Sequence, residues 1–191
     1  MIRDSLVYWA QNLGVDGFRF DLASILERDP NGNFYQSSEL LWELKNDPEL
    51  AGIKMIAEPW DAVGGYRLGY PSKNAGWAEL NDSFRDTVRK AVRGDEGQMT
   101  ALKEAILGSP GKFGSIDKGR EFSINFITSH DAMTLNDLVS YNYKHNLENG
   151  IENRDGHNSD FLFNCGGEGP TQDVEFLELR RRKIKLMHLL L

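Results

Sequence analysis

Short strand-like runs alternate with helix-like runs along this chain, and that alternation limits the fold more than any other feature. Val15 to Phe20 is a short apolar run holding Gly17 and Arg19. Ile53 to Ala57 (IKMIA) and Phe122 to Thr128 (FSINFIT) are strand-like, and Trp77 to Leu80 is a weaker strand. Helical patterns separate them. Ile2, Leu6, Trp9, Ala10 and Leu13 recur at helical spacing, and Gly14 follows as a stop. Ser37 to Asn46 places Leu40, Leu41 and Leu44 on one face, with Ser37 as its cap. Asp82 to Val92 is a further helix, and Phe176, Leu179, Ile184, Met187, His188 and Leu191 continue a helical pattern to the last residue. Strands separated by helices predict an α/β fold with a parallel sheet and crossover helices.

Tyr141 to Gln172 breaks this rhythm. It is rich in Asn and Gly and has no sustained period. A loop this long is usually functional or disordered; Tyr141, Tyr143, Phe161 and Phe163 give it material to pack, which predicts an ordered loop. The first helix has no preceding cap, and the last ends in Leu189-Leu190-Leu191 with no stop signal. Both features lead us to expect a chain cut at each end.

Composition narrows the function classes. With 191 residues, 40% of them apolar, and a formal charge of −7, the chain fits one soluble globular domain. A negative surface repels phosphate backbones, which argues against a nucleic-acid partner. The basic run Arg180 to Lys183 follows Glu175 and Glu178 on a helical pattern and reads as a solvated helix face. No stretch approaches the roughly 20 apolar residues of a membrane span, and Met1 to Ser5 lacks a signal-peptide pattern. Cys165 is the single cysteine, so no internal disulfide can form.

Each clear strand leads towards an acidic residue: GFRF into Asp21, IKMIA into Glu58, and INFITSH into Asp131. In parallel α/β folds, ligands bind at the carboxyl ends of the strands, so three carboxylates distant in sequence can converge on one pocket. One such residue alone is more often a helix cap. Arg19 lies two residues before Asp21, so both side chains share a strand face. A neighbouring guanidinium favours the ionised carboxylate, which suits a nucleophile or a charge stabiliser; the bland reading is a structural ion pair. Glu58 is flanked by Ile56 and by Pro59-Trp60. Pro59 holds Glu58 extended, and apolar neighbours favour the neutral acid. One ionised and one protonated carboxyl is the pairing that glycoside hydrolysis needs. His130-Asp131 offers an adjacent donor and acceptor for sugar hydroxyls. Trp60, Trp77, Tyr66 and Tyr70 could stack on sugar rings, although such aromatics more often pack.

Three segments together carry a family resemblance: GVDGFRFDLAS (14–24), IAEPWD (56–61) and FITSHDAMTLNDLVSY (126–141). They resemble signature regions of glycoside hydrolase family 13, the α-amylase superfamily. AEPWDAVGGYRLG, LNDSFRDTVRK and the loop KHNLENGIENRDGHNSDFLFNCGGEGPT are most similar to isoamylase-type glycogen debranching enzymes. The resemblance implies that Asp21 is the catalytic nucleophile, Glu58 the general acid/base and Asp131 the transition-state stabiliser. Arg19 and His130 would be their neighbours in the first sugar subsite; of the aromatics that could stack on sugar, Trp60 is the one expected to contact substrate. The family is retaining, so the two carboxyls should stand about 5–5.5 Å apart. No cofactor and no metal are expected, and the implied partner is an α-glucan such as glycogen or limit dextrin. A cytoplasmic location follows from the resemblance alone.

The family fold is a (β/α)8 barrel, which typically needs about 250 residues. Residues 1–191 would therefore form a partial catalytic domain, strands four to seven with their helices, with the long loop at 141–172. Missing barrel segments or a partner chain would then be needed for folding, and the isolated chain should show little or no activity. Two positions depart from the subfamily. Ala132 and Met133 stand in place of a glycine and an aromatic, and Leu80 in place of a tryptophan. Two alternatives remain open: a non-catalytic glucan-binding or regulatory chain with the same fold, and a Mg²⁺ enzyme using Asp21, Glu58 and Asp131 as ligands. Arg19 argues against the latter, since its charge competes with a cation at Asp21.

Overall fold

The computed structural model describes residues 1–131, 133–156, 158 and 160–191. In chain order the elements are α1 (Ile2–Leu13), β1 (Gly17–Phe20), α2 (Glu39–Asn46), β2 (Lys54–Ala57), α3 (Tyr70–Ala75), β3 (Ala78–Asn81), α4 (Asp82–Arg93), α5 (Met99–Ile106), α6 (Pro110–Phe113), α7 (Ile116–Phe122), β4 (Ser123–Asn125), α8 (Leu135–Leu138) and α9 (Val174–Leu190). Short 3-10 helices lie at Ala23–Glu27, Pro48–Leu50 and Leu147–Asn149. The chain forms two compact units: Met1–Asn81 with Leu107–Ile124, and Asp82–Ile106 with Asn125–Leu191.

The first unit holds the sheet, with strand order β1-β2-β3-β4. β1 pairs with β2 and β2 with β3, both in parallel. The expected α/β arrangement with a parallel sheet is therefore present. Phe18 lies opposite Met55 and Phe20 opposite Ala57. These four residues face a core with Leu41, Leu44, Leu50, Ala75 and Trp77. By the strand period of two, Arg19 and Ile56 face the other way. Trp77 is fully buried, and its ring centroid lies 4.5 Å from that of Phe20.

Helix ends follow the side chains that can satisfy them. Gly14 closes α1 at φ 71°, a left-handed conformation that glycine adopts freely. Ser38, not Ser37, caps α2: its hydroxyl accepts from Leu41 N–H at 3.4 Å and donates to the Leu26 carbonyl at 3.1 Å. The later start reflects that second bond, which ties the cap to the preceding turn. Glu79 of β3 lies fully buried under the start of α3 and accepts from the N–H groups of Gly69 and Ser72, both at 2.7 Å.

The strand expected over Phe122 to Thr128 is shorter. Phe122 ends α7, and β4 keeps only Ser123–Asn125. Ile127 instead joins the core of the second unit with Phe84, Val88, Val92, Leu138, Val139, Cys165 and Met187. Asp131 therefore does not follow directly on a strand end. Helices α3 and α6 to α8 have four to seven residues each. That is too short for a periodic signal to stand out.

The long loop of the second unit is held by hydrogen bonds. Glu168 accepts from Asn142 N–H at 2.9 Å and Asn164 Nδ2 at 3.0 Å, and pairs with His145 Nε2 at 2.9 Å. Phe163 packs on the core, whereas Tyr143 is 74% exposed and supplies no packing. The basic run is not wholly a solvated face. Arg181 and Arg182 pair with Glu178 at the surface, but Arg180 is buried. Its guanidinium donates to the carbonyls of Gly169 at 2.8 Å and Asn164 at 3.1 Å, and to that of Gly167. Loop carbonyls that need donors draw it inward. Among the described residues no helix is long and apolar enough to cross a membrane.

Candidate active site

The register of the first two strands sets the site. Phe20 lies opposite Ala57, so Asp21 and Glu58 leave the sheet side by side. Backbone bonds carry the pairing one step further: Glu58 N–H donates to the Phe20 carbonyl at 3.0 Å, and Ala23 N–H to the Glu58 carbonyl at 2.9 Å. Arg19 Nη2 then lies 2.7 Å from Glu58 Oε1 and 3.7 Å from Asp21 Oδ1. Because these two distances meet at one nitrogen, the two carboxyl oxygens are no more than about 6.4 Å apart.

The two carboxyls have different surroundings. The Asp21 side chain is 74% exposed, and that of Glu58 only 5%. Glu58 Oε2 also accepts from Leu22 N–H at 2.9 Å. Leu22 sits at φ 45°, ψ 44°, a left-handed conformation costing a side-chain-bearing residue roughly 1–2 kcal/mol. Such local strain is common at functional sites, and here it turns an N–H towards Glu58. The sequence allotted Arg19 to Asp21 and apolar neighbours to Glu58; instead the guanidinium is nearer to Glu58. The reason is register, since Arg19 lies opposite Ile56 and its long side chain runs along the sheet to the next carboxyl on that face.

Of the other expected residues, Trp60 is half-buried and forms an antiparallel bridge with Tyr66. Trp77 is core and unavailable to a ligand. The Tyr70 hydroxyl donates to the Gln36 carbonyl, and its ring carries the Arg67 guanidinium at 3.1 Å. Tyr66 is 47% exposed. His130 and Asp131 belong to the second unit, where His130 Nε2 lies 3.2 Å from Asp131 Oδ1 and both are exposed. Ala132 lies outside the described residues. Among the described residues, no three His, Cys, Asp or Glu side chains are grouped to hold a metal ion.

The sequence does not single out a second polar cluster beside the site: the charged Glu27 and Arg28 with the Ser24 hydroxyl after β1, and the charged Asp61 and Arg67 after β2. The one available signal is the Asp61-Ala62-Val63-Gly64-Gly65 run, an aspartate opening a glycine turn.

No family model matches the chain. Over 192 residues it is 42% identical to isoamylase 3 of Oryza sativa subsp. japonica, covering all of this chain and 24% of that protein. It is 44% identical over 189 residues to a glycogen operon protein GlgX homolog of Mycobacterium tuberculosis, covering 98% and 26%. A GlgX homolog of Haemophilus influenzae is 46% identical over 174 residues, covering 90% and 26%. The chain thus spans about a quarter of the length of the curated relatives it matches. Among solved structures, a type I pullulanase of Bacillus subtilis superposes with a TM-score of 0.56 at 22% identity, covering 99% of this chain and 32% of that one. A pullulanase of Anoxybacillus sp. LM18-11 gives 0.53 at 23%. This is a likeness of fold. On the sequence matches, the chain is similar along nearly its whole length to part of the isoamylases and glycogen operon GlgX proteins.

Proposed function

We propose that this chain supplies the nucleophile and the acid/base of a retaining α-glucan hydrolase that cleaves α-1,6 branch points of glycogen or limit dextrin. The observation that carries this reading is the meeting of Asp21 and Glu58 at Arg19 Nη2. With one oxygen of each no more than about 6.4 Å apart, the two carboxyls are close enough to admit the 5–5.5 Å of a retaining pair. The sequence relatives, named as isoamylases and glycogen operon proteins, support the substrate class.

The steps follow from the residues. The Asp21 carboxylate, open to solvent on one side, attacks the anomeric carbon. The Glu58 carboxyl gives its proton to the glycosidic oxygen as that bond breaks, releasing the inner chain with a free 6-hydroxyl while the outer chain stays on the enzyme. The glycosyl group is then an ester of Asp21. Glu58, now a carboxylate, takes a proton from water, which attacks the same carbon, frees Asp21 and restores the configuration. Asp131, with His130 beside it, is proposed to stabilise the positive charge that develops on the sugar ring, and Trp60 to contact the substrate. The chain would correspond to strands four to seven of a (β/α)8 barrel.

The test is Asp21→Asn in a protein that carries this chain with the flanking segments its relatives possess. Release of linear chains from glycogen should fall to background. Release at the unmutated rate would remove Asp21 as the nucleophile.

A further inference from the structure

The loops after β1 and β2 exchange charges in both directions. Adjacent residues Glu27 and Arg28 of the first loop reach Arg67 and Asp61 of the second. Asp61, whose side chain is 1% exposed, is the hub. Its Oδ2 accepts from Ser24 Oγ at 3.0 Å and Arg28 Nε at 2.8 Å. Its Oδ1 accepts from Val63 N–H at 3.0 Å and Gly65 N–H at 2.8 Å. Arg67 Nη2 reaches Glu27 Oε2 at 3.3 Å and the Tyr35 carbonyl at 3.2 Å. The Phe34 ring faces both guanidiniums, 3.9 Å from Arg28 and 4.7 Å from Arg67. Any Cβ on Gly65 would collide with Asp61, Arg28 and Phe34, so the cluster is closed around a residue without one.

Such a buried network tolerates little adjustment, because a charge that loses its partner there is strongly disfavoured. Its placement gives it consequence. Ser24 lies three residues beyond Asp21, and Asp61 three beyond Glu58. The hub therefore grips both chain segments just after each carboxyl.

We propose that Asp61 is a positioning residue: by binding Ser24 and Arg28 it fixes the exit of β2 against the exit of β1, and so sets where the Glu58 carboxyl stands. This rests on the acid/base role of Glu58 proposed above. Burial alone would push the Asp61 carboxyl up, but Arg28, Gly65, Ser24 and Val63 together hold it down at about 2. The hub therefore stays charged at any pH suited to an assay.

The experiment compares two substrates in the protein with its flanking segments. A branched dextrin needs a proton from Glu58 on its leaving group; α-maltosyl fluoride does not. Asp61→Asn should lower kcat/KM about 100-fold on the dextrin, the scale of a small misplacement. On the fluoride the loss should be under about threefold. Equal losses on both substrates, or no loss on either, would overturn the proposal. Should Asp61→Asn fail to fold, Arg28→Lys keeps the charge and loses the Nε bond. With that variant, a loss several-fold larger on the dextrin supports the proposal, and equal losses overturn it. Failure of the underlying hydrolase reading shows separately, as an Asp21→Asn variant that turns over both substrates at the unmutated rate.

Discussion

Arg19 Nη2 approaches Glu58 more closely than it approaches Asp21, 2.7 Å against 3.7 Å. One guanidinium thus serves two carboxyls of different exposure. Arg19→Ala leaves Glu58 enclosed without its cation and Asp21 without its neighbour. Loss of one such preorganised donor typically costs about 100-fold or more. A fall of that size in kcat/KM on a branched dextrin is expected, with Arg19→Lys in between. Activity within about threefold of the unmutated protein would refute the shared role.

Glu79 makes stability fall as pH rises. Burial outweighs the bonds from Ser72 and Gly69 and pushes its carboxyl from 4.5 up to about 7. Between those values the folded state holds a proton that the unfolded state has released. The contribution is thus fully present below 4.5 and lost as pH climbs through 7, by about 3 kcal/mol. Burial also raises Glu27, in the same direction. Urea unfolding at a series of pH values should show this slope, and Glu79→Gln should flatten it. A slope of opposite sign in this window would contradict the assignment.

Asp61 acts in a separate window and with opposite sign. Its carboxyl is held at about 2 in the folded chain against 3.8 unfolded. Stability from it is present above 3.8 and lost as pH falls towards 2. Acid unfolding should therefore steepen below 3.8, and Asp61→Asn should remove that component. An unchanged acid limb in the variant would count against the hub.

Arg180 anchors the long loop from a helix whose neighbouring basic residues face solvent. Arg180→Ala strips donors from the carbonyls of Gly169, Asn164 and Gly167. Destabilisation of about 3 kcal/mol is expected, with faster proteolysis within 141–172. Unchanged stability and cleavage would show that the loop holds itself.

Much of the first unit was legible because its signals are local. Periodic apolar residues mark α1, a glycine marks its end, and alternation around Arg19 places that side chain on the same strand face as Asp21. What escaped depends on register and on burial. Nothing in GFRF and IKMIA states that Phe20 lies opposite Ala57, and that pairing hands Arg19 to Glu58. Trp77 reads as a possible sugar platform until the sheet buries it. Arg180 reads as surface until loop carbonyls claim it. Asp61 and Arg28 are 33 residues apart, and their pairing has no periodic signature. The strand also stops at Asn125 without a local signal: Ile127 is apolar because it packs in the second unit, not because it continues a strand.

The most direct measurement traps the covalent intermediate. Glu58→Gln, in the protein with its flanking segments, is mixed with α-maltosyl fluoride, which can load Asp21 without an acid but then lacks the base for release. Peptide mapping by mass spectrometry should find a maltosyl ester on the peptide holding Asp21, absent in Asp21→Asn. An ester on another carboxyl, or rapid turnover of the fluoride with no adduct, would contradict the assignment of both residues.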